Sequence, residues 1–175
     1  MKEITLTQGK VALVDNEDYK TLSLFTWCVH KERNVYYAIT DINGKQLKMH
    51  RLIMNTQDGI EIDHRDHNGL NNQKYNLRNC TSSQNAQNRR KRKNCSSVYK
   101  GVSFNRRKNK WNAGIKINGK QFHLGYFILE KSAAKAYDLA ANKHFKGFAN
   151  FNILSAKECT ILEQLNFKRP QDLIV

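Results

Sequence analysis

Proline is nearly absent, at one in 175 residues, and hydrophobic residues make up 39% of the chain. Such a chain folds, but a segment of well under 100 residues builds only a modest core and depends on tight local packing. The length allows one ordinary domain or two small ones. The four cysteines, Cys28, Cys80, Cys95 and Cys159, form no C-x-x-C pair, so no structural zinc is expected and each is read as a small buried hydrophobe. No apolar run is long enough to span a bilayer, and Met1-Lys2-Glu3-Ile4 does not open a signal peptide. The expectation is an intracellular protein with reduced thiols and no membrane partner.

Acidic residues are scarce where basic ones gather. Lys and Arg total 30 against 15 Asp and Glu, a formal charge of +15 with a pI near 9.8. From Arg89 to Lys120 there are twelve Lys and Arg and no acid, whereas nine of the fifteen acids lie at or before Asp63. Charge alone fits a ribosomal-type or simply soluble basic protein as well. The asymmetry points instead to a stripe that binds a polyanion, because each phosphate neutralised releases counterions.

Three segments follow one another. In residues 1–54, Val11–Val14 and Val35–Ile39 have the β-branched and aromatic character of strands. Asn43-Gly44 is a hairpin signal. Between the strands, Asp15–Trp27 shows helical spacing of Tyr19, Leu22, Phe25 and Trp27, with Asp15 or Asn16 available as a cap. Residues 55–94 are very polar, with a short strand at Ile60–Ile62, a second extended piece at Leu77–Cys80, and a helix expected from Thr81 or Ser82 through Asn88 into the run Arg89–Lys93. Residues 95–153 suggest strands at Tyr99–Phe104, Trp111–Ile117 and Gln121–Phe127, an Asn118-Gly119 turn, and a helix over 129–145 with a small-residue face at Ala133, Ala136, Tyr137 and Ala140. The tail, 154–175, offers a short amphipathic stretch near Ile161–Phe167. The class expected is α+β.

The chemistry concentrates in Ile62-Asp63-His64, Asn76-Leu77-Arg78 and the helix carrying Asn85 and Asn88. Histidine titrates near neutrality, so a neutral His64 can take a proton from water. A hard cation such as Mg²⁺ or Mn²⁺ accepts a carboxylate and an amide oxygen as its protein ligands while keeping several waters. An Asp-His pair alone occurs often by chance; the whole cluster at this spacing does not. It is similar to the HNH endonuclease family, in the branch of phage and intron homing enzymes. The resemblance implies a ββα-metal fold with Asp63 and Asn85 as metal ligands, His64 as general base and Asn76 bracing the loop. Asn85 stands where many relatives have His, an H-N-N variant, and Asn71-Asn72-Gln73 replaces the more usual Asp-Asn-Arg. Met49-His50-Arg51 resembles a signature that precedes this domain in many relatives. His50 is expected to be structural or to touch DNA and not to bind metal, with Arg51 beside it. Arg78 suits a bidentate phosphate contact, and His67 reads as a loop residue.

Further on, Tyr99-Lys100-Gly101-Val102, Lys110–Ile115, His123–Phe127, Ala133–Asp138 and Ala149–Asn152 resemble an AP2 DNA-binding domain, which implies a three-stranded sheet laid in the major groove. Alternation turns Trp111, Ala113, Ile115 and Ile117 towards the helix, with Phe122, Leu124 and Tyr126 inward on the next strand. The outer face then holds Lys100, Ser103, Asn105, Lys116, Gln121 and His123, with Arg106, Arg107 and Lys110 beside it and Arg89 and Arg90 in the preceding run. These are the expected DNA contacts, together with His50, Arg51 and Arg78.

The expected function is therefore a metal-dependent DNA endonuclease, monomeric, acting on double-stranded DNA in the cytoplasm of a bacterium or phage-infected host. The alternative is a non-catalytic DNA-binding regulator with a relic nuclease part. A basic structural or RNA-binding protein stands third, since the aromatic positions that would stack on bases read as buried.

Overall fold

The computed structural model describes residues 1–91 and 94–164, with side chains as far as Ile161. Arg92 and Lys93 of the basic run, and the expected amphipathic stretch beyond Gln164, lie outside the described residues. The chain divides into two compact units, Met1–Asn85 and Ala86–Val175. Four small sheets and five α-helices are seen among the described residues, an architecture in keeping with α+β. No described helix is long and apolar enough to cross a membrane.

In the first unit, β1 (Lys2–Thr5) pairs antiparallel with β2 (Val11–Val14). Helix α1 follows at Asn16–Leu22, shorter than the spacing through Trp27 predicts. Its end is closed by other donors: Ser23 Oγ donates to Tyr19 O at 2.7 Å and Trp27 Nε1 to Leu22 O at 2.8 Å. Asp15 occupies the N-cap position but makes no capping bond. Its carboxylate instead accepts Gln73 Nε2 at 3.1 Å and the Lys74 amide at 2.8 Å, tying the helix start to a later loop. A meander follows, β3 (Cys28–Glu32), β4 (Val35–Ile42) and β5 (Lys45–Lys48). The β4–β5 turn has Asn43 and Gly44 both at positive φ, 53° and 76°, the backbone that an Asn-Gly hairpin demands.

Helix α2 (Met49–Met54) leads to β6 (Glu61–His64), paired antiparallel with β7 (Leu77–Cys80), and then to α3 (Ser82–Asn88). The core gathers Ile4, Leu6, Val14, Leu22, Trp27 and Met49. The loop between β6 and β7 is stitched to β2, with Leu13 N donating to Leu70 O and Asn72 N to Leu13 O, each at 2.8 Å. It also presses on β4 at Gly69, where a Cβ would lie 2.4 Å from Tyr36 O and 2.7 Å from the Tyr37 ring. Only glycine fits there.

The second unit has strands β8 (Val102–Asn105), β9 (Lys110–Ile117) and β10 (Lys120–Phe127) in spatial order β10-β9-β8, covered by α4 (Glu130–Phe145). Ala133, Ala134, Ala136 and Ala141 bring the helix close to Ala113, Ile115 and Phe127. Strand β8 begins three residues later than the sequence predicts. The residues before it are held by side chains: the Tyr99 amide by Ser97 Oγ and the Lys100 amide by Asn152 Oδ1. Asp138, wholly buried, accepts the amides of Asn152, Ile153 and Leu154 at 2.7–2.9 Å and pins the chain that follows α4. Helix α5 (Ala156–Gln164) starts from a Ser155/Glu158 capping box.

Two expectations are corrected. The register of β10 against β9 shifts between His123 and Gly125, a bulge that reverses the facing of everything beyond it. Tyr126 pairs with Asn112 on the outer face, and Phe127, opposite Trp111, is the buried ring. The other correction concerns the thiols. Cys80 and Cys159 are buried, but Cys28, on an edge strand, and Cys95 are exposed.

Candidate functional site

The β6–β7 ribbon and the first turns of α3 carry the candidate site. Alternation along β6 puts Glu61 and Asp63 on one face and Ile62 and His64 on the other. Register pairs Asp63 with Arg78 across the ribbon. There Arg78 donates from Nε at 2.8 Å and Nη2 at 2.6 Å to Asp63 Oδ2, both side chains at most 10% exposed. Arg78 is thus the buried counter-charge of Asp63, engaged within the protein where the sequence suggests a phosphate contact.

His64 is 6% exposed. Its ring lies 5.0 Å from that of His50 and 5.9 Å from Tyr37, while His50 and Tyr37 stand 5.6 Å apart. Nε2 faces Asn72 Oδ1 at 3.4 Å. The Asn72 amide is oriented by its own donors, which point to Met49 Sδ and Leu70 O, so the oxygen is what His64 meets. An Nε2–H donor then places the accepting lone pair on Nδ1. Burial holds the His64 imidazole below its ordinary value, opposed by the bond to Asn72 and the charges of Asp66 and Asp63. The ring is neutral near pH 7, with the Asp63 carboxylate in electrostatic reach.

Asn76 is 1% exposed. Its Nδ2 donates to Asp66 Oδ1 at 3.0 Å and Asn71 O at 2.8 Å, and its Oδ1 accepts the Asp66 amide at 3.1 Å. These bonds close the 65–76 loop on itself, and the loop carries Asn72 to His64. Asn85 is half-buried on α3, with Nδ2 donating to Glu61 Oε2 at 2.6 Å. Among the described residues no donor is directed to its Oδ1. The helix start is fixed by a capping box: Thr81 Oγ1 accepts the Gln84 amide and Gln84 Oε1 the Thr81 amide.

The Asp63 carboxylate and the Asn85 amide oxygen are hard donors of the kind Mg²⁺ and Mn²⁺ take. The set fits such an ion with substrate and water completing it. Among the described residues no three His, Cys, Asp or Glu side chains gather as a metal cage.

The remaining expected contacts divide. His50 is 7% exposed, packed against Tyr37 and His64, so of its two expected roles the geometry gives the structural one. Arg51 donates to Ile60 O at 3.0 Å and to Gln57 O at 3.1 Å, clamping the turn between α2 and β6; it is engaged within the protein. In the second unit Arg89, Arg90, Ser103, Arg106, Arg107, Lys110, Lys116, Gln121 and His123 are exposed, and Asn105 is half-exposed. Lys100 differs. Its ammonium donates to Gln87 O at 2.5 Å, and burial, then the charge of Arg89, pushes its pKa down to about 8.

Four residues escaped sequence reasoning. Glu61 was legible only as the residue two before Asp63 on a strand, and Asn72 only as part of an unusual triplet. Tyr126 and Lys108 were hidden by the bulge. On the outer face Lys108 Nζ sits 3.9 Å over the Tyr126 ring, whose centroid is 4.5 Å from that of His123. Gly125 inside the strand was the available signal.

Among known proteins, the chain is 32% identical over 148 residues to "Uncharacterized HNH endonuclease L560" of Acanthamoeba polyphaga mimivirus, covering 81% of this chain and 74% of that protein. The C-terminal part is 48% identical over 61 residues to APETALA2-like protein 2 of Oryza sativa, covering 33% of this chain and 14% of that protein. It is also 50% identical over 52 residues to AP2-like ethylene-responsive transcription factor TOE2 of Arabidopsis thaliana, covering 30% of this chain and 10% of that protein. No family model and no solved structure matches the chain.

Proposed function

This chain belongs to the HNH endonuclease family and joins to it an AP2-like part, and from that premise we propose that it hydrolyses phosphodiester bonds of double-stranded DNA in a metal-dependent reaction. In this reading β6, β7 and α3 are the ββα-metal element, and the β8–β10 sheet with α4 is an AP2-type module that positions the duplex. The observation that carries the proposal is the arrangement of the ribbon. Asp63 shares one face of β6 with Glu61, which binds the Asn85 amide of α3. His64, the last residue of the strand, is buried and neutral on the other face within electrostatic reach of Asp63.

Asp63 and Asn85 would hold one divalent cation, which supplies charge stabilisation at the scissile phosphate and the departing 3′ oxygen. His64, its Nε2–H directed at Asn72, accepts a proton from the attacking water at Nδ1. Tyr37 and His50 pack against the imidazole and fix the position of its ring. Asn76 keeps the loop closed so that Asn72 stays in place. Arg78 holds the Asp63 carboxylate in its buried position.

Cleavage of supercoiled plasmid with Mg²⁺ or Mn²⁺ tests this. His64→Ala should lower the rate by about 10²–10⁴-fold, the usual worth of a general base, and Asp63→Ala should abolish metal-stimulated cutting. A wild type that retards DNA on a gel but cuts neither plasmid nor its own flanking sequence gives the role to the alternative, a regulator with a relic nuclease part.

A further inference from the structure

An amide has two chemically opposite ends, and at Asn85 only one of them can serve a cation. Glu61, two residues before Asp63 on the same face of β6, accepts Ser82 Oγ at Oε1 and Asn85 Nδ2 at Oε2, the latter at 2.6 Å. Ser82 and Asn85 are three apart on α3, so they present to one partner from adjacent turns. A carboxylate accepts and never donates when ionised, so the amide can meet it only through its NH₂ group. That fixes the polarity: Oδ1 points away from Glu61, with no described donor directed to it. The backbone at this position is held as well, since the Asn85 amide donates to Thr81 O at 2.9 Å inside the capped first turn.

We propose that Glu61 is a positioning residue that sets the orientation of the Asn85 amide and so presents Oδ1 to the divalent cation. The inference rests on the proposed reading of Asn85 as a metal ligand. Without the carboxylate, rotation about the last side-chain bond exchanges oxygen for NH₂ at little cost, and half of the rotamers offer the cation a group that cannot bind it. A histidine at this position would bind through a ring nitrogen and would present a different orientation problem. The requirement for an acceptor such as Glu61 comes from the asparagine.

Titration of the full ¹⁵N-labelled chain with Mn²⁺ alone, read by paramagnetic broadening near residues 63 and 85, tests it at millimolar affinities without cleavage. Asn85→Ala should weaken binding strongly. The near-isosteric Glu61→Gln should weaken it on the order of 10-fold, the usual scale for a partner that orients a ligand. Loss of a nearby negative charge would also weaken binding, so the discriminating measurement is made in an Asn85→Asp background. A carboxylate there has no wrong end, and the side-chain amide introduced by Glu61→Gln can donate to it. In that background Glu61→Gln should leave affinity unchanged or raise it. An equal loss in both backgrounds reduces Glu61 to a through-space charge and overturns the proposal, as does no loss in the wild-type background. If Asn85→Ala itself leaves Mn²⁺ binding unchanged, the metal-site reading falls first and the positioning role with it.

Discussion

The two imidazoles facing each other across 5.0 Å show how burial sets chemistry at single residues. His50 is pushed down to about 3, first by burial and then by the charges of His64, Lys48 and Arg51. In the unfolded chain it titrates near its ordinary 6.5. Between those values the unfolded state binds a proton that the folded state refuses, so stability present above pH 6.5 is lost progressively as pH falls towards 3. One such proton corresponds to about 1.4 kcal/mol per pH unit. Urea midpoints measured from pH 7 to pH 4 should therefore fall, and His50→Gln should shallow that slope by close to one proton; identical slopes would place the His50 ring in water. At this scale residue type alone singled out Asp63, His64, Asn76 and Asn85, and the structure places them on β6, in the loop before β7 and on α3. The sequence was least legible where a role belongs to a pair. Arg78 looks like a phosphate ligand until the β6–β7 register puts Asp63 opposite it, and Glu61 looks idle until α3 folds back to offer Asn85.

Elements were readable when a local rule governed them. Asn43-Gly44 and Asn118-Gly119 both close hairpins at positive φ, since the turn chemistry lies within two residues. The short α1 was not readable, because its end depends on Trp27 turning back to Leu22 O. The bulge in β10 is the sharpest case. Period-two alternation placed Tyr126 inward, and one extra residue at Leu124 sent it out and Phe127 in. The two assignments differ in measurable cost. Phe127→Ala should destabilise the second unit by about 3–5 kcal/mol, the range for removing a buried aromatic ring. Tyr126→Ala should cost well under half of that in the same chemical denaturation, because its ring meets Lys108 and His123 on the outer face. The reverse ranking would restore unbroken alternation. If the proposed DNA-binding role holds, Tyr126→Ala should weaken duplex affinity while leaving the fold intact.

For the molecule as a whole, charge is the property that sequence showed most directly, and the structure refines which charges are available. The stretch without acids supplies exposed Arg106, Arg107, Lys110 and Lys116 on or beside one sheet, whereas Lys100 in the same stretch is held to Gln87 O. If the sheet meets a duplex, each ammonium or guanidinium that neutralises a phosphate releases counterions, and log affinity falls with log salt by about 0.9 per contact. Changing Arg106, Arg107 and Lys116 together to Gln should flatten the slope by ~2.7. Lys100→Gln should leave it nearly unchanged, since that side chain already has a protein acceptor, although the lost bond to Gln87 will cost some stability. Binding measured between 50 and 200 mM salt on one fixed duplex separates the two cases. A triple variant that keeps the wild-type slope would move the phosphate contacts off this sheet and onto the exposed Arg89–Arg90 run, where an Arg89→Gln/Arg90→Gln pair would then carry the change.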